Sequence, residues 1–318
     1  MDSTTIAERL LESDEPAIRY LTRVLVLGES STSRAARRDR LLIPSSPLAR
    51  ALLSEVDGEG VIPLDPYSKW RGSHWVMAFL SELGYPAGDK KLKAMADRNA
   101  RWALSKKAQM LEGRPRRCAS QQSYALLYLL KLGFYDERCD ELADRLIEWQ
   151  WDDGGWNCDR RPEACHSSFH ESLLPARALC HYAAHTGRAD ALRAATKAAK
   201  MFLDRRLFRR KSTDAIIDKR FLEFHYPYHW RYNLLHGLKA MAEACLVADR
   251  RCREAIDVLK SKQLPDGGFA SPKRIYNMRL DRPAPRSPAD FGPFDAKRRN
   301  PFVTIDALYV LRLAEGTK

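Results

Sequence analysis

No run in this 318-residue chain approaches the ~18 consecutive apolar residues that a membrane-spanning helix needs. The first residues, MDSTTIAERLLESDE, are acidic where a secretory signal is basic and then apolar. Cysteine is sparse: seven residues, an odd number, make no disulfide framework and point to reduced thiols. Together these absences predict a cytoplasmic protein. Strand-like alternation is also scarce, which leaves helix as the dominant element.

Positive charge is what the chain has in excess, 54 Lys+Arg against 41 Asp+Glu, for a formal net charge of +13. Spread over the surface, such charge gives solubility and weak attraction to polyanions. Gathered in one place, it serves a specific anionic ligand. Both readings stay open until the charges are located. The 45% hydrophobic content is enough for a sizeable core, and one domain over 1–318 is expected.

One type of segment recurs: a polar or aromatic start, a small-plus-aliphatic stretch, then a turn. Its copies begin near Trp70, Cys118, His166, Tyr228 and Asn300, with Pro16 to Gly28 as a sixth. Ser73, Ser120 and Ser168 align at spacings of 47 and 48 residues, the length of a helix pair. Between the copies lie charged segments with narrow apolar stripes, roughly Ala35 to Glu55, Asp89 to Gln109, Asp136 to Gln150, Asp190 to Arg206 and Arg250 to Lys262. These read as helices wetted on one face. Alternation of buried and amphipathic helices predicts an all-α fold of two concentric rings, an α/α toroid with about six inner and five to six outer helices. Turns leaving the apolar helices are short and carry glycine. Segments leading into them are long, so one end of the ring is elaborated, and elaborated loops on a rigid scaffold usually carry function.

Two of the long segments share a pattern: Gln150 to Trp156 reads QWDDGGW and Gln263 to Phe269 reads QLPDGGF, each with a leucine four residues before the glutamine (Leu146, Leu259). This resembles the QW motif of squalene and terpenoid cyclases and of protein prenyltransferase β subunits. The motif argues for fold, because its glycines permit a sharp turn and its aromatic can pack back on the helix end. The resemblance implies a ligand cavity inside the ring and a cyclase-like or transferase-like enzyme. The acidic D-x-D-D string, the D-D-x-x-D magnesium motif and the Asp-x-Cys zinc pair of those relatives are all missing here. Activity therefore does not transfer with the resemblance.

Inner helices that enter from the long-loop end aim unpaired N–H groups at one mouth, which favours anions. Arg116, Arg117, Arg160 and Arg161 stand just before such helices and are the expected anion-binding residues. The first helical turns supply the expected ligand contacts: Trp70, His74, Ser120, Gln121, His166, Phe169, Tyr228, His229, Trp230, Arg231 and Asn300. His170 beside Glu171 is the candidate acid–base pair, since imidazole titrates near neutrality. His166 and His170, four apart, would share one helix face and could hold zinc with Cys158 or Asp159. No full ligand set is visible, so hydrogen-bonded cavity histidines are preferred. The leading expectation is a barrel that takes a small apolar or amphiphilic ligand with an anionic head, isoprenoid-like in the enzyme reading. A non-catalytic ligand-binding or scaffolding barrel is the alternative. A basic nucleic-acid-binding helical repeat ranks last, because no nucleic-acid motif is found. No specific protein partner can be inferred from the sequence.

Overall fold

The computed structural model describes residues 3–278 and 285–316. In chain order the helices are α1 (Ser3–Leu11), α2 (Pro16–Leu21, prolonged by a π-helical turn over Thr22–Val26), α3 (Arg34–Leu42), α4 (Pro47–Leu52), α5 (Ser73–Glu82), α6 (Lys93–Leu104), α7 (Ala119–Lys131), α8 (Glu137–Glu148), α9 (Phe169–Thr186), α10 (Ala189–Leu203), α11 (Leu234–Glu243), α12 (Arg253–Lys260) and α13 (Pro301–Glu315). Two short antiparallel ladders interrupt them, β1 (Gln109–Leu111) with β2 (Arg114–Arg116) and β3 (Ala270–Ser271) with β4 (Asp295–Arg299). The fold is all-α in class, and no helix among the described residues is long and apolar enough to cross a membrane.

The apolar repeats form α5, α7, α9, α11 and α13, in which most residues are buried. The charged segments form α6, α8, α10 and α12, which bury a single stripe, such as Cys139, Leu142, Ala143 and Leu146 in α8. The segment expected as one helix from Ala35 to Glu55 is instead split into α3 and α4. Proline cannot donate within a helix, and Pro47 starts α4 under the Ser46 side chain, which accepts from Ala49 N. Gly187 stops α9 in the left-handed conformation (φ 77°).

Successive buried helices are neighbours: α5 packs on α7, α7 on α9, α9 on α11 and α11 on α13. The last of them lies against α2 and its π-helical extension, where Arg312 Nε donates to the Leu25 carbonyl at 2.9 Å. A repeated ion pair ties the amphipathic helices to one another. Arg138 at the start of α8 meets Asp97 of α6 at 2.6 Å. Arg188, just before α10, meets Asp144 of α8 at 2.6 Å, and Arg251, just before α12, meets Asp204 after α10 at 2.9 Å. Each such partly exposed pair contributes at most ~1 kcal/mol, but their recurrence records the repeat.

The space between the buried helices is largely filled, apart from a cleft of about 290 Å³ between α2 and the ends of α5 and α11 that reaches Glu82, Lys131, Lys239 and Glu243. Toward the ends of α5 and α11 the space holds charge. Arg177 of α9 reaches Glu82 of α5 at 3.0 Å and Glu243 of α11 at 2.7 Å. Lys239 of α11 meets Glu82 at 3.4 Å and Asp306 of α13 at 2.8 Å, and Lys131 of α7 stands 3.7 Å from Glu82. Three cations thus face three carboxylates from five helices. Toward the helix starts the filling is aromatic: Trp70 stacks on His229 (3.7 Å between centroids), and Phe79, Tyr226, Phe291 and Phe302 close around them.

Burial alone would raise the pKa of Glu82 and Glu243. Arg177, with Lys131 and Lys239, outweighs it and holds both well below the ordinary 4.5. The folded state therefore binds fewer protons than the unfolded chain in the acid range, so this contribution to stability is present above pH ~4.5 and is lost as pH falls. Urea unfolding should show wild-type stability declining on acidification through that value. Arg177→Met should cost about 3–5 kcal/mol at neutral pH, because two buried carboxylates lose a partner. A loss within 1 kcal/mol would show that the network is not load-sharing in this way.

Candidate functional site

The two glutamine–aromatic motifs are structural staples. Gln150 Nε2 donates to the Gly154 carbonyl at 2.9 Å and to Ala194 of α10 at 2.8 Å, closing the turn and joining it to the next amphipathic helix. The Trp156 indole donates to Leu146 of α8 at 2.9 Å. Gly154 has φ 99°, and a Cβ there would come within 2.6 Å of the Lys197 carbonyl, so a side chain is excluded by conformation and by space. The second copy repeats the closure, Gln263 Nε2 to Gly267 O at 2.9 Å. In both copies the backbone N–H of the aromatic residue donates at 2.9 Å to a hydroxyl in the fourth residue of the following buried helix, Ser172 in α9 and Thr304 in α13. These contacts fix where α9 and α13 begin.

The turn that follows Trp156 carries Cys158 back against the starts of α7 and α9. The Cys118 sulfur, the Cys158 sulfur and a Glu171 oxygen all lie within 4.8 Å of one another. Cys118 caps the N-terminus of α7, and Glu171 sits in the first turn of α9. The Cys158 thiol points at Glu171 Oε1 (3.6 Å), while Oε2 accepts the Ser120 backbone N–H at 3.1 Å. Burial raises the pKa of Glu171. Cys118 is shifted the other way: the neighbouring Cys158 sulfur favours its charged form, burial opposes, and Arg117 and Arg160 add positive charge nearby. Cys158 is correspondingly pushed up by its tie to Cys118 and by burial, so the two thiols titrate as a pair.

A second feature opens on the other side of α9. A cleft of about 350 Å³ runs between the start of that helix and the loop before α11. Phe221, Phe224 and Trp230 form its apolar wall, and Arg220, Arg231 and Lys273 bring positive charge. His170 and His225 also line it; burial lowers both pKa values, His225 to about 4. The buried His225 Nε2 and Trp230 indole N–H have no hydrogen-bond partner among the described residues. A larger cleft of about 480 Å³ lies by α1 and β4 and is basic (Arg9, Lys297, Arg298, Arg299), but it has no aromatic wall.

Of the residues expected to line a site, His170, Trp230 and Arg231 meet in the cleft, and Glu171, Ser120, Gln121 and Arg117 gather around the thiol pair. His170 and Glu171 do not act on one point. Consecutive helical residues are about 100° apart, so His170 accepts from Tyr232 N at 2.9 Å on the α11 side while Glu171 faces α7. The zinc alternative fails on the same ground: α9 starts only at Phe169, so His166 stands outside the helix, exposed, and shares no metal-sized cluster with His170, Cys158 or Asp159.

Other candidates are interior or structural. His74 is fully buried, 3.3 Å from the Tyr128 hydroxyl, and burial lowers its pKa to about 3. Trp70 and His229 stack on each other in the aromatic fill, Tyr228 donates to Asp306 at 2.6 Å, and Phe169 packs against Phe202, Phe221 and Tyr232. Asn300 caps α13 by accepting from Phe302 N and Val303 N. The four arginines do not converge on an anion. Arg116 is buried, donates to Ala164 O at 2.9 Å and lies over the Trp151 ring at 4.6 Å. Arg117 donates to Gln121 Oε1 at 2.7 Å, Arg161 pairs with Asp159 at 2.5 Å, and Arg160 is exposed.

Cys118 is the residue of the candidate site that sequence reasoning missed. It stands 40 residues from Cys158, outside any short motif, and only its position at the start of a repeat copy marked it. No protein-family profile and no curated protein sequence matches the chain. In metal-free protein, alkylation followed by peptide mapping should label Cys118 ahead of Cys158, with a pH midpoint below the ordinary thiol value of 9.0. Equal rates at the two sulfurs would contradict the asymmetric pair.

Proposed function

We propose that the chain is a closed α/α toroid of the squalene cyclase and prenyltransferase kind, and that it binds an amphiphile with an anionic head group in the cleft between α9 and the loop before α11. The observation that carries the ligand reading is the meeting in one cleft of an aromatic wall (Phe221, Phe224, Trp230) with Arg220, Arg231 and Lys273. Apolar walls with a few convergent polar groups are the usual make-up of a small-molecule site. The unpartnered Trp230 and His225 nitrogens add two polar groups for an oxygen-rich head. Arg220 and Lys273 are already paired with Asp218 and Glu223, which leaves Arg231, exposed and lying over Trp230 at 5.6 Å, as the cation best placed to exchange partners. The toroid reading draws support from the order of helix neighbours and from the contact of α13 with α2. The largely filled interior favours a ligand at the edge of the helix array over one between the buried helices.

A nucleic-acid partner has less to recommend it, since Arg161, Arg209 and Arg299 each spend their charge on a neighbouring carboxylate. Fluorescence titration with an alkyl phosphate and the matching alkanol tests the ligand reading. The phosphate should bind more tightly, Arg231→Glu should weaken it by about tenfold, and added salt should shrink the difference, because exposed charge is screened over ~8 Å at physiological ionic strength. Equal affinity for the phosphate and the alkanol would remove the anionic-head assignment.

A further inference from the structure

We propose that Cys118, Cys158 and Glu171 form a divalent metal site, with zinc the ion that the donor set selects and a fourth position left for water or a ligand atom. The site stands whether or not the neighbouring cleft takes an amphiphile, since it shares no residue with that cleft.

Geometry comes first. Zinc–sulfur and zinc–oxygen bonds of about 2.3 and 2.0 Å at a tetrahedral angle put sulfur and oxygen ligands ~3.5 Å apart. The Cys158 sulfur is 3.6 Å from Glu171 Oε1, and all three donor atoms fall within 4.8 Å. A small contraction brings them to coordination distance. Two thiolates with one carboxylate suit zinc far better than magnesium or calcium, which take oxygen ligands.

The surroundings support the same assignment. The three donors come from three elements whose positions are fixed independently: the cap of α7, the turn held by the Gln150–Trp156 staple, and the first turn of α9. Glu171 is buried, its oxygens meet Ser120 and the Cys158 thiol, and although Arg117 lies nearby it takes part in none of the ion pairs among the described residues. A buried carboxylate without a paired cation is costly, and a dication between it and two thiols removes that cost. The Ser120 N–H on the distal oxygen is the kind of outer-shell contact that orients a metal-binding carboxylate. Three protein ligands and an open position are the arrangement of zinc sites that activate water or polarise a bound group, whereas structural zinc is closed by four. The binding step releases the protons of the two thiols and any on Glu171, so it is favoured as pH rises.

The full chain, reduced and stripped of metal, is titrated with cobalt(II), which reports tetrahedral thiolate coordination through its charge-transfer and ligand-field bands. One equivalent should bind, with both bands present, and zinc should displace it. Cys118→Ser and Cys158→Ser should each abolish the charge-transfer signature of two thiolates. Glu171→Gln keeps the sulfurs and should weaken binding by more than about tenfold, the least that loss of even a supporting group costs at such sites. Cys165→Ser, seven residues from Cys158, is the control and should change nothing. Wild-type protein gives a readout that no variant's folding can obscure: zinc should protect Cys118 and Cys158, and no other cysteine, from alkylation. Three results would overturn the site: no cobalt binding by the reduced wild type, as expected if the two sulfurs serve instead as a disulfide pair; binding that survives both serine variants; or binding lost in Cys165→Ser.

Discussion

Six charges packed between five helices, four of them buried and Lys131 and Glu243 partly so, set the terms for the rest of the molecule. Arg177, Lys239 and Lys131 face Glu82, Glu243 and Asp306, and each helix that lends a charge is held by the partners of the others. Such a network tolerates no half measures, because any group left over is a buried charge without a partner. It also occupies volume. Trp70, His229, Tyr226 and Phe291 fill the opposite half, so the open space between the buried helices lies on the charged side, in the cleft that reaches Glu82 and Glu243. The aromatic half leaves the proposed ligand a place at the edge of the helix array, where the long loops meet the starts of α7, α9 and α11.

At that edge α9 divides two environments by a single residue step. Glu171 turns toward α7 and the two thiols, while His170 turns toward α11 and the aromatic wall. The glutamine–aromatic staple matters to both. By fixing Trp156 on Leu146 and on Ser172, it sets the start of α9 and the path of the Cys158 turn at once. A motif that carries no chemistry of its own therefore decides where chemistry can be assembled.

Much of the architecture was legible in the sequence, because it rests on periodicity. A helix buried all round and a helix wet on one face have different compositions, and the charged stretches of 136–150 and 190–206 became α8 and α10 within a residue or two at their starts. Side-chain direction was not legible to the same degree. Trp70, His74 and His229 read as a cavity lining, yet Trp70 stacks on His229 and all three pack against Trp75, since an aromatic start to a helix satisfies core packing as readily as ligand contact. Arg116 read as a free cation, but the Glu112–Gly113 turn (φ 48° and 66°) folds β1 on β2 and lays it over Trp151. The pairing of Cys118 with Cys158 depends on a tertiary contact between two repeats, which no local pattern encodes.

Photo-crosslinking separates binding in the cleft beside α9 from binding between the buried helices most directly. An alkyl phosphate with a diazirine near the end of its chain, irradiated with the intact protein and mapped by mass spectrometry, should mark Phe221, Phe224 or Trp230. Crosslinks to Phe79, Tyr124 or Tyr128, which face the interior, would show that the space between the buried helices opens to ligand and would contradict the account.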